Sequence, residues 1–199
     1  MSILPIRLFG DPVLRERAAE VTDFDDGLRR LATDMLDTMH AAAGVGLAAN
    51  QVGVLRRLFT WEQPGERPGE GESGAFVNPE VVETSEEIEE GEEGCLSFPG
   101  LFFPTERPLR ARIKAFSVDG EEIERTGEGI LARIFLHEID HLNGILFIDH
   151  LERHDHKEAM RRIRDGELER NAASAADGAE AVHDHRAEPQ ALRTSGGAL

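Results

Sequence analysis

Residues 137–141 read His137-Glu138-Ile139-Asp140-His141, an H-E-x-x-H run. On a helix, residues four apart face the same way, so both imidazoles reach one metal ion. Glu138 is rotated by about 100° from His137. That takes it out of the ligand set and lays it over a metal-bound water, where it serves as general base and then as proton donor to a leaving amine. A third protein ligand is needed. One zinc-peptidase pattern continues H-x-x-G-x-x-H. Here Gly144 is in place, but Phe147 stands where the last histidine belongs and cannot coordinate. Glu152 and Glu158 are downstream carboxylate alternatives. The stronger candidate is upstream: Cys95, the only cysteine, within EEGCLSFPG. A Cys/His/His set leaves a fourth position open to water, as catalytic metal sites do. Two other roles stand open for Cys95, a nucleophile activated by histidine and a small buried hydrophobe.

A third segment, Gly44-Val45-Gly46-Leu47-Ala48-Ala49-Asn50-Gln51, is rich in glycine. It follows a helical pattern rather than a strand, which argues against a dinucleotide-phosphate loop. It reads either as a helix end and turn or as backbone that a peptide approaches closely. In the second reading Gln51 donates a hydrogen bond to a developing oxyanion.

The elements that must position these residues follow from periodicity. Phe24 to Ala43 is a helical pattern with Leu28, Leu31, Met35 and Met39 on one stripe, and Gly44 is expected to end it. Residues 52–60 read as a strand, residues 62–74 as an acidic surface excursion, and Phe76 to Glu83 as a strand bent at Asn78-Pro79. The glutamates from Glu86 to Glu93 read as a solvated face. Arg110 to Val118 alternates as a strand, with a hairpin turn at Asp119-Gly120 closed by Ile123. Glu128 to Gly144 is the second helical pattern, with Ile130, Ile134, His137 and His141 near one stripe. Ile145 to Ile148 reads as a closing strand, and 155–170 as a charged helical segment. Residues 171–199 have the composition of a disordered tail.

Composition narrows the class. The chain has 199 residues, with 22 Lys plus Arg against 39 Asp plus Glu, for a net charge of −17. That opposes sequence-specific nucleic-acid binding and adsorption to an anionic membrane. No apolar run approaches the length of a spanning helix. No signal peptide is apparent, and one cysteine fits a reducing compartment, so a cytoplasmic globular protein is expected.

The three segments together resemble peptide deformylase. G-x-G-L-A-A-x-Q, E-G-C-L-S and H-E-x-D-H occur in order at Gly44–Gln51, Glu93–Ser97 and His137–His141. The opening GDPVLRERAAEV and Asn78-Pro79 are also similar. The resemblance implies an α+β fold in which antiparallel strands surround the helix carrying the H-E-x-x-H motif. It implies removal of the formyl group from the N-terminal formyl-methionine of nascent chains, releasing formate. Cys95, His137 and His141 match the family's metal ligands, Glu138 its acid/base, and Gln51 and the Leu96 N–H its oxyanion donors. Gly46 lies beside the formyl site. Fe(II) is the implied metal, with Zn(II) the alternative. An apolar pocket for methionine is expected from Val45, Leu96 and Ile134. There are two departures: Leu136 stands where glutamine is common, and no arginine follows the C-L-S segment until Arg107. Residues 1–151 are expected to form the catalytic domain, 152–170 a charged helical extension and 171–199 the tail. The extension's Lys157, Arg161, Arg162 and Arg164 suggest a transient ribosome contact, against interleaved acids that suggest a solvated helix. An endopeptidase and a non-enzymatic metal-binding module are the rival readings, and Glu138 speaks against the second.

Overall fold

The computed structural model describes residues 2–63, 65 and 71–174. After a 3-10 turn, Pro12–Arg15, capped by the Asp11 carboxylate, comes helix α1, Asp26–Ala41. The Asp25 side chain accepts from the Leu28 N–H and starts that helix. Then follow strands β1 (Gly46–Ala48), β2 (Leu58–Gln63), β3 (Glu72–Thr84), β4 (Ile88–Gly94), β5 (Phe102–Pro108), β6 (Arg110–Phe116) and β7 (Glu122–Glu128). Helix α2 spans Ile130–Leu142 and α3 spans Arg153–Arg164. Residues 167–174 are helical again.

One sheet has the order β1-β2-β3-β6-β7 and the other pairs β4 with β5, all antiparallel. The expected α+β architecture is present, with α2 at its centre. Leu131, Ala132, Ile134, Phe135, Ile139 and Leu142 are buried in one cluster with Phe59, Trp61, Phe76 and Ile113 of the sheet. Phe135 meets Trp61 and Phe76 edge-on, at ring separations of 5.7 and 5.5 Å. A helix apolar on nearly every side belongs inside a domain, so the motif it carries is fixed by core packing. Among the described residues no helix is long and apolar enough to cross a membrane.

The segment before α1 ties the three motif-bearing segments together. The Arg7 N–H donates to the Gln51 carbonyl at 2.7 Å, Phe9 N–H to Ser97 at 3.0 Å, and Ala18 N–H to Leu142 at 2.9 Å. Arg15 packs under Gly144 so closely that a Cβ there would lie 2.4 Å from its carbonyl oxygen.

Several expected elements differ. The left-handed residue after α1 is Ala43 (φ 52°), not Gly44. Gly44 is needed for another reason, because a Cβ there would come within 2.7 Å of the Leu96 side chain. The strand expected from residue 52 begins only at Leu58, since Ala49–Val52 is a 3-10 turn ended by Gly53 at φ 81°. The strand expected over Ile145–Ile148 is instead a 3-10 turn, Phe147–His150. There the Asp149 carboxylate accepts from the Leu146 N–H at 2.9 Å, and this local bond replaces a strand ladder. Phe147 and Ile148 fill a third apolar cluster with Phe98, Leu101 and Phe103, which Ala159 and Leu168 complete. Strand β5 is an element that periodicity does not predict. The expected bend at Asn78-Pro79 is a register shift in β3, with Asn78 at φ 50° and its amide bonded to both polar groups of the Val21 backbone. Helical structure continues past 170 to 174, so the first part of the expected tail is ordered; 175–199 lie outside the described residues.

Candidate active site

Helix α2 presents His137 and His141 one turn apart, and the turn after β4 presents Cys95. That turn is shaped by its own backbone: Phe98 N–H donates to the Cys95 carbonyl at 2.8 Å and Leu101 N–H to Phe98 at 3.0 Å. The Cys95 Sγ lies 3.1 Å from His141 Nε2, which lies 3.2 Å from His137 Nε2. All three donor atoms fall within 4.8 Å of one another, and they are the group among the described residues placed to share a metal. One sulfur and two imidazole nitrogens suit zinc or ferrous iron better than a hard, oxygen-seeking cation. Glu158, offered as a ligand by sequence, is instead paired with Arg161 at 2.6 Å on α3, and Glu152 is exposed.

The orientation of His137 has a cause that sequence reasoning missed. Its Nδ1 lies 2.7 Å from Glu93 Oε1, so Nδ1–H donates to the carboxylate and Nε2 is left with its lone pair toward the cluster. Glu93 also takes the Arg107 guanidinium at 2.7 and 3.0 Å and Arg133 at 3.0 Å. Burial alone would raise this carboxyl. Hydrogen bonds from His137 and Arg107 outweigh that and hold it well below the usual carboxylate range. Arg107 reaches on to Asp140 at 2.7 Å. It is therefore a buried tie within the scaffold, not a late substitute for the missing substrate-facing arginine. The orienting hydrogen bond of His137 comes from Glu93, not from residue 136.

Glu138 is buried, and its Oε2 has no partner among the described residues. Burial pushes its carboxyl up to about 7, against the pull of His137. Gly46 on β1 faces it so closely that a Cβ would stand 2.2 Å from Oε1. Burial also pushes the His141 imidazole down, which favours the neutral form a ligand must have. Gln51 is held by the Ala48 N–H on its Oε1 (2.8 Å), and its Nε2 points at Cys95 Sγ (3.3 Å) and Ser97 Oγ (3.2 Å). The Leu96 N–H makes no hydrogen bond among the described residues.

These groups open on a cavity of about 610 Å³. Gly46, Gln51, Cys95, His137 and Glu138 line one part of it. Val45, Leu96 and Ile134 add apolar walls, Ile134 buried and Val45 at the mouth. The site thus combines a triad placed to ligate a metal, a buried carboxyl beside it and amide donors close by, a set that suits hydrolysis of an amide.

Known proteins resemble this chain in sequence and in fold. The sequence model of the family described as polypeptide deformylase matches residues 3–157. The peptide deformylase of Acidothermus cellulolyticus is 50% identical over 167 residues, covering 84% of this chain and 89% of that protein. Peptide deformylase 1 of Corynebacterium glutamicum is 45% identical over 164 residues, covering 82% and 96%. Among solved structures, a peptide deformylase from Legionella pneumophila superposes with a TM-score of 0.76 at 41% identity, covering 83% of this chain and 96% of its own. The Ehrlichia chaffeensis enzyme in complex with actinonin gives 0.78 at 38%, covering 84% and 99%.

Proposed function

The chain belongs to the peptide deformylase family, hydrolases that remove the N-formyl group from nascent peptides, and we propose that Cys95, His137 and His141 hold its metal while Glu138 moves its proton. The observation that carries this assignment is the convergence of Sγ and two Nε2 atoms beside a buried carboxyl on one wall of the cavity. A divalent ion held by Cys95, His137 and His141 would supply Lewis acidity, bringing the pKa of water toward neutrality.

The protein's own groups do the rest. Glu138 accepts the proton of the attacking water and returns it to the departing methionine nitrogen, after which formate leaves. Gln51 Nε2 and the Leu96 N–H stabilise the negative charge that grows on the formyl oxygen. Val45, Leu96 and Ile134 receive the methionine side chain. Gly46 gives the Glu138 carboxyl its place. Gly46→Ala is expected to displace that carboxyl and lower kcat for formate release about 10²-fold, the scale of an ångström of misplacement at a reacting centre. Metal content should be unchanged. A Gly46→Ala enzyme with normal kcat would show that the carboxyl does not act from this position.

We assign Fe(II) as the working metal, with Zn(II) the alternative that the same donors accept. The test is formate release from a short formyl-methionyl peptide by protein loaded anaerobically with one metal or the other. Faster release with Fe(II) is expected. Equal or faster release with Zn(II) would reassign the metal, and none with either, in folded metal-loaded protein, would overturn the site reading. In this reading residues 1–151 form the catalytic unit and 152–170 an extension of it, working in the cytoplasm. Any transient ribosome contact through α3 would run through Lys157 and Arg164, since Arg161 pairs with Glu158 and Asp165, and Arg162 with Glu167.

A further inference from the structure

The two histidines of the proposed ligand set are not held alike. His137 Nδ1 is anchored on the Glu93 carboxylate at 2.7 Å. His141 Nδ1 is buried and has no hydrogen-bond partner among the described residues. The other ring nitrogen, Nε2, faces Cys95 Sγ at 3.1 Å and His137 Nε2 at 3.2 Å, where the three donor atoms converge. A ligating imidazole is neutral, so with Nε2 turned to the cluster its one proton sits on Nδ1. His141 therefore carries a buried N–H that calls for an acceptor.

A buried acceptor is unused on a residue that already touches His141. Asn50 is fully inaccessible, and its Nδ2 donates to the His141 carbonyl in the last turn of α2. Its Oδ1 has no partner among the described residues. Turning the amide over would set oxygen against oxygen. The backbone beneath it is fixed. Asn50 lies in the 3-10 turn Ala49–Val52, its carbonyl accepts the Gly53 N–H at 3.0 Å, and the Gln51 carbonyl accepts the Arg7 N–H at 2.7 Å. Other polar side chains at this end of α2 are taken: Asp140 pairs with Arg107 and His150, and Asn143 Oδ1 accepts from Arg57 at 2.9 Å. The pattern G-x-G-L-A-A-x-Q leaves position 50 open and gives Asn50 no role.

We propose that Asn50 is the positioning residue of His141, holding its carbonyl through Nδ2 and taking its Nδ1–H on Oδ1, directly or across one buried water. The inference rests on the ligand set proposed above. The two imidazoles are then fixed from behind by different acceptors. Glu93 is a carboxylate matched by Arg107 and Arg133, whereas Asn50 is neutral and adds no charge near the sulfur. One short turn thus aims both the His141 ring and, through the next residue, the Gln51 amide.

The test titrates full-length protein, freed of metal, with Zn(II) against a competing chromogenic chelator, and melts the same metal-free samples. Asn50→Leu keeps the volume and removes both polar atoms. Asn50→Asp keeps an acceptor and removes the donor to the His141 carbonyl. Both are expected to melt earlier than wild type. Asn50→Leu alone should lose Zn(II) affinity, by about 10–100-fold, the range for removing the partner behind a ligating histidine. Asn50→Asp should keep close to wild-type affinity. The visible bands of Co(II)-loaded protein should shift in Asn50→Leu and hold in Asn50→Asp. Asn50→Ala and Asn50→Thr, without and with an acceptor, serve if the first pair does not fold. Wild-type affinity in Asn50→Leu would overturn the proposal. So would equal losses with and without the acceptor, which would leave Asn50 as an anchor of the helix end only. Wild-type protein that takes up no metal would fault the ligand set itself, and this inference with it.

Discussion

Glu138→Ala should retain its metal and lose formate release by about 10⁴-fold, the upper range for a positioned acid/base. The carboxyl follows His137 by one residue and is not among the three converging donor atoms, so its removal leaves Sγ and both Nε2 in place. Cys95→Ala should instead lose metal and activity together. The contrast separates holding the ion from moving the proton, and needs only elemental analysis after gel filtration beside a formate assay. It also decides the other role open to Cys95, because a nucleophilic cysteine could be removed without loss of metal. Near-normal release by Glu138→Ala would end the acid/base assignment. Stoichiometric metal in Cys95→Ala would end the ligand assignment.

The largest loss of stability is expected from Glu93→Ala. This carboxylate meets two arginines and a histidine in a region where it, Arg107 and Arg133 are all nearly inaccessible. Deleting it leaves the buried Arg107 with Asp140 alone and the buried Arg133 with carbonyl acceptors alone, and breaking a buried pair from one side costs about 3–5 kcal/mol. For a chain of this size that lowers the melting temperature by roughly 10 °C. It also frees the His137 Nδ1 and loosens the ring, so metal affinity should fall about 10–100-fold. Glu93→Gln, which keeps an acceptor oxygen, should fall between. Thermal melting and a metal titration would check both effects. An unchanged melting temperature in Glu93→Ala would mean that Arg107 and Arg133 find other partners or water.

The site was far more legible in the sequence than the frame that aims it. Two histidines at i and i+4 state a shared direction, and the apolar residues before them place that direction inward. Cys95 then follows from the need for a third donor. Glu93 escaped because it sits in a run of glutamates, and of these β4 turns Glu93 alone fully inward. The signal lay on other elements. Phe103, Thr105 and Arg107 alternate on the buried face of β5, and Arg133 lies one helical turn before His137 on the buried face of α2. Two arginines on apolar faces call for a carboxylate. Strand β5 itself was hidden by Pro104 and Pro108, which are tolerated because β5 pairs on one side only. The 3-10 turn at Phe147–His150 and the left-handed Ala43 were beyond periodicity. The turn is set by a single side-chain bond, from the Leu146 N–H to Asp149.

The segment from Arg7 to Ala18 has a consequence for how this enzyme comes into being. Its three backbone bonds reach Gln51, Ser97 and Leu142, each farther along the chain than the last. During synthesis at about 5–20 residues per second, on the order of ten seconds separate the appearance of Ala18 from that of its partner. Until then the Arg7–Ala18 segment has only its nearer partners and cannot close the fold around the helix that carries His137 and His141. Bringing such distant positions together slows folding through the entropy of the loops they close. A growing copy of this protein therefore becomes competent only after α2 has emerged and the Arg7–Ala18 segment has docked against its end.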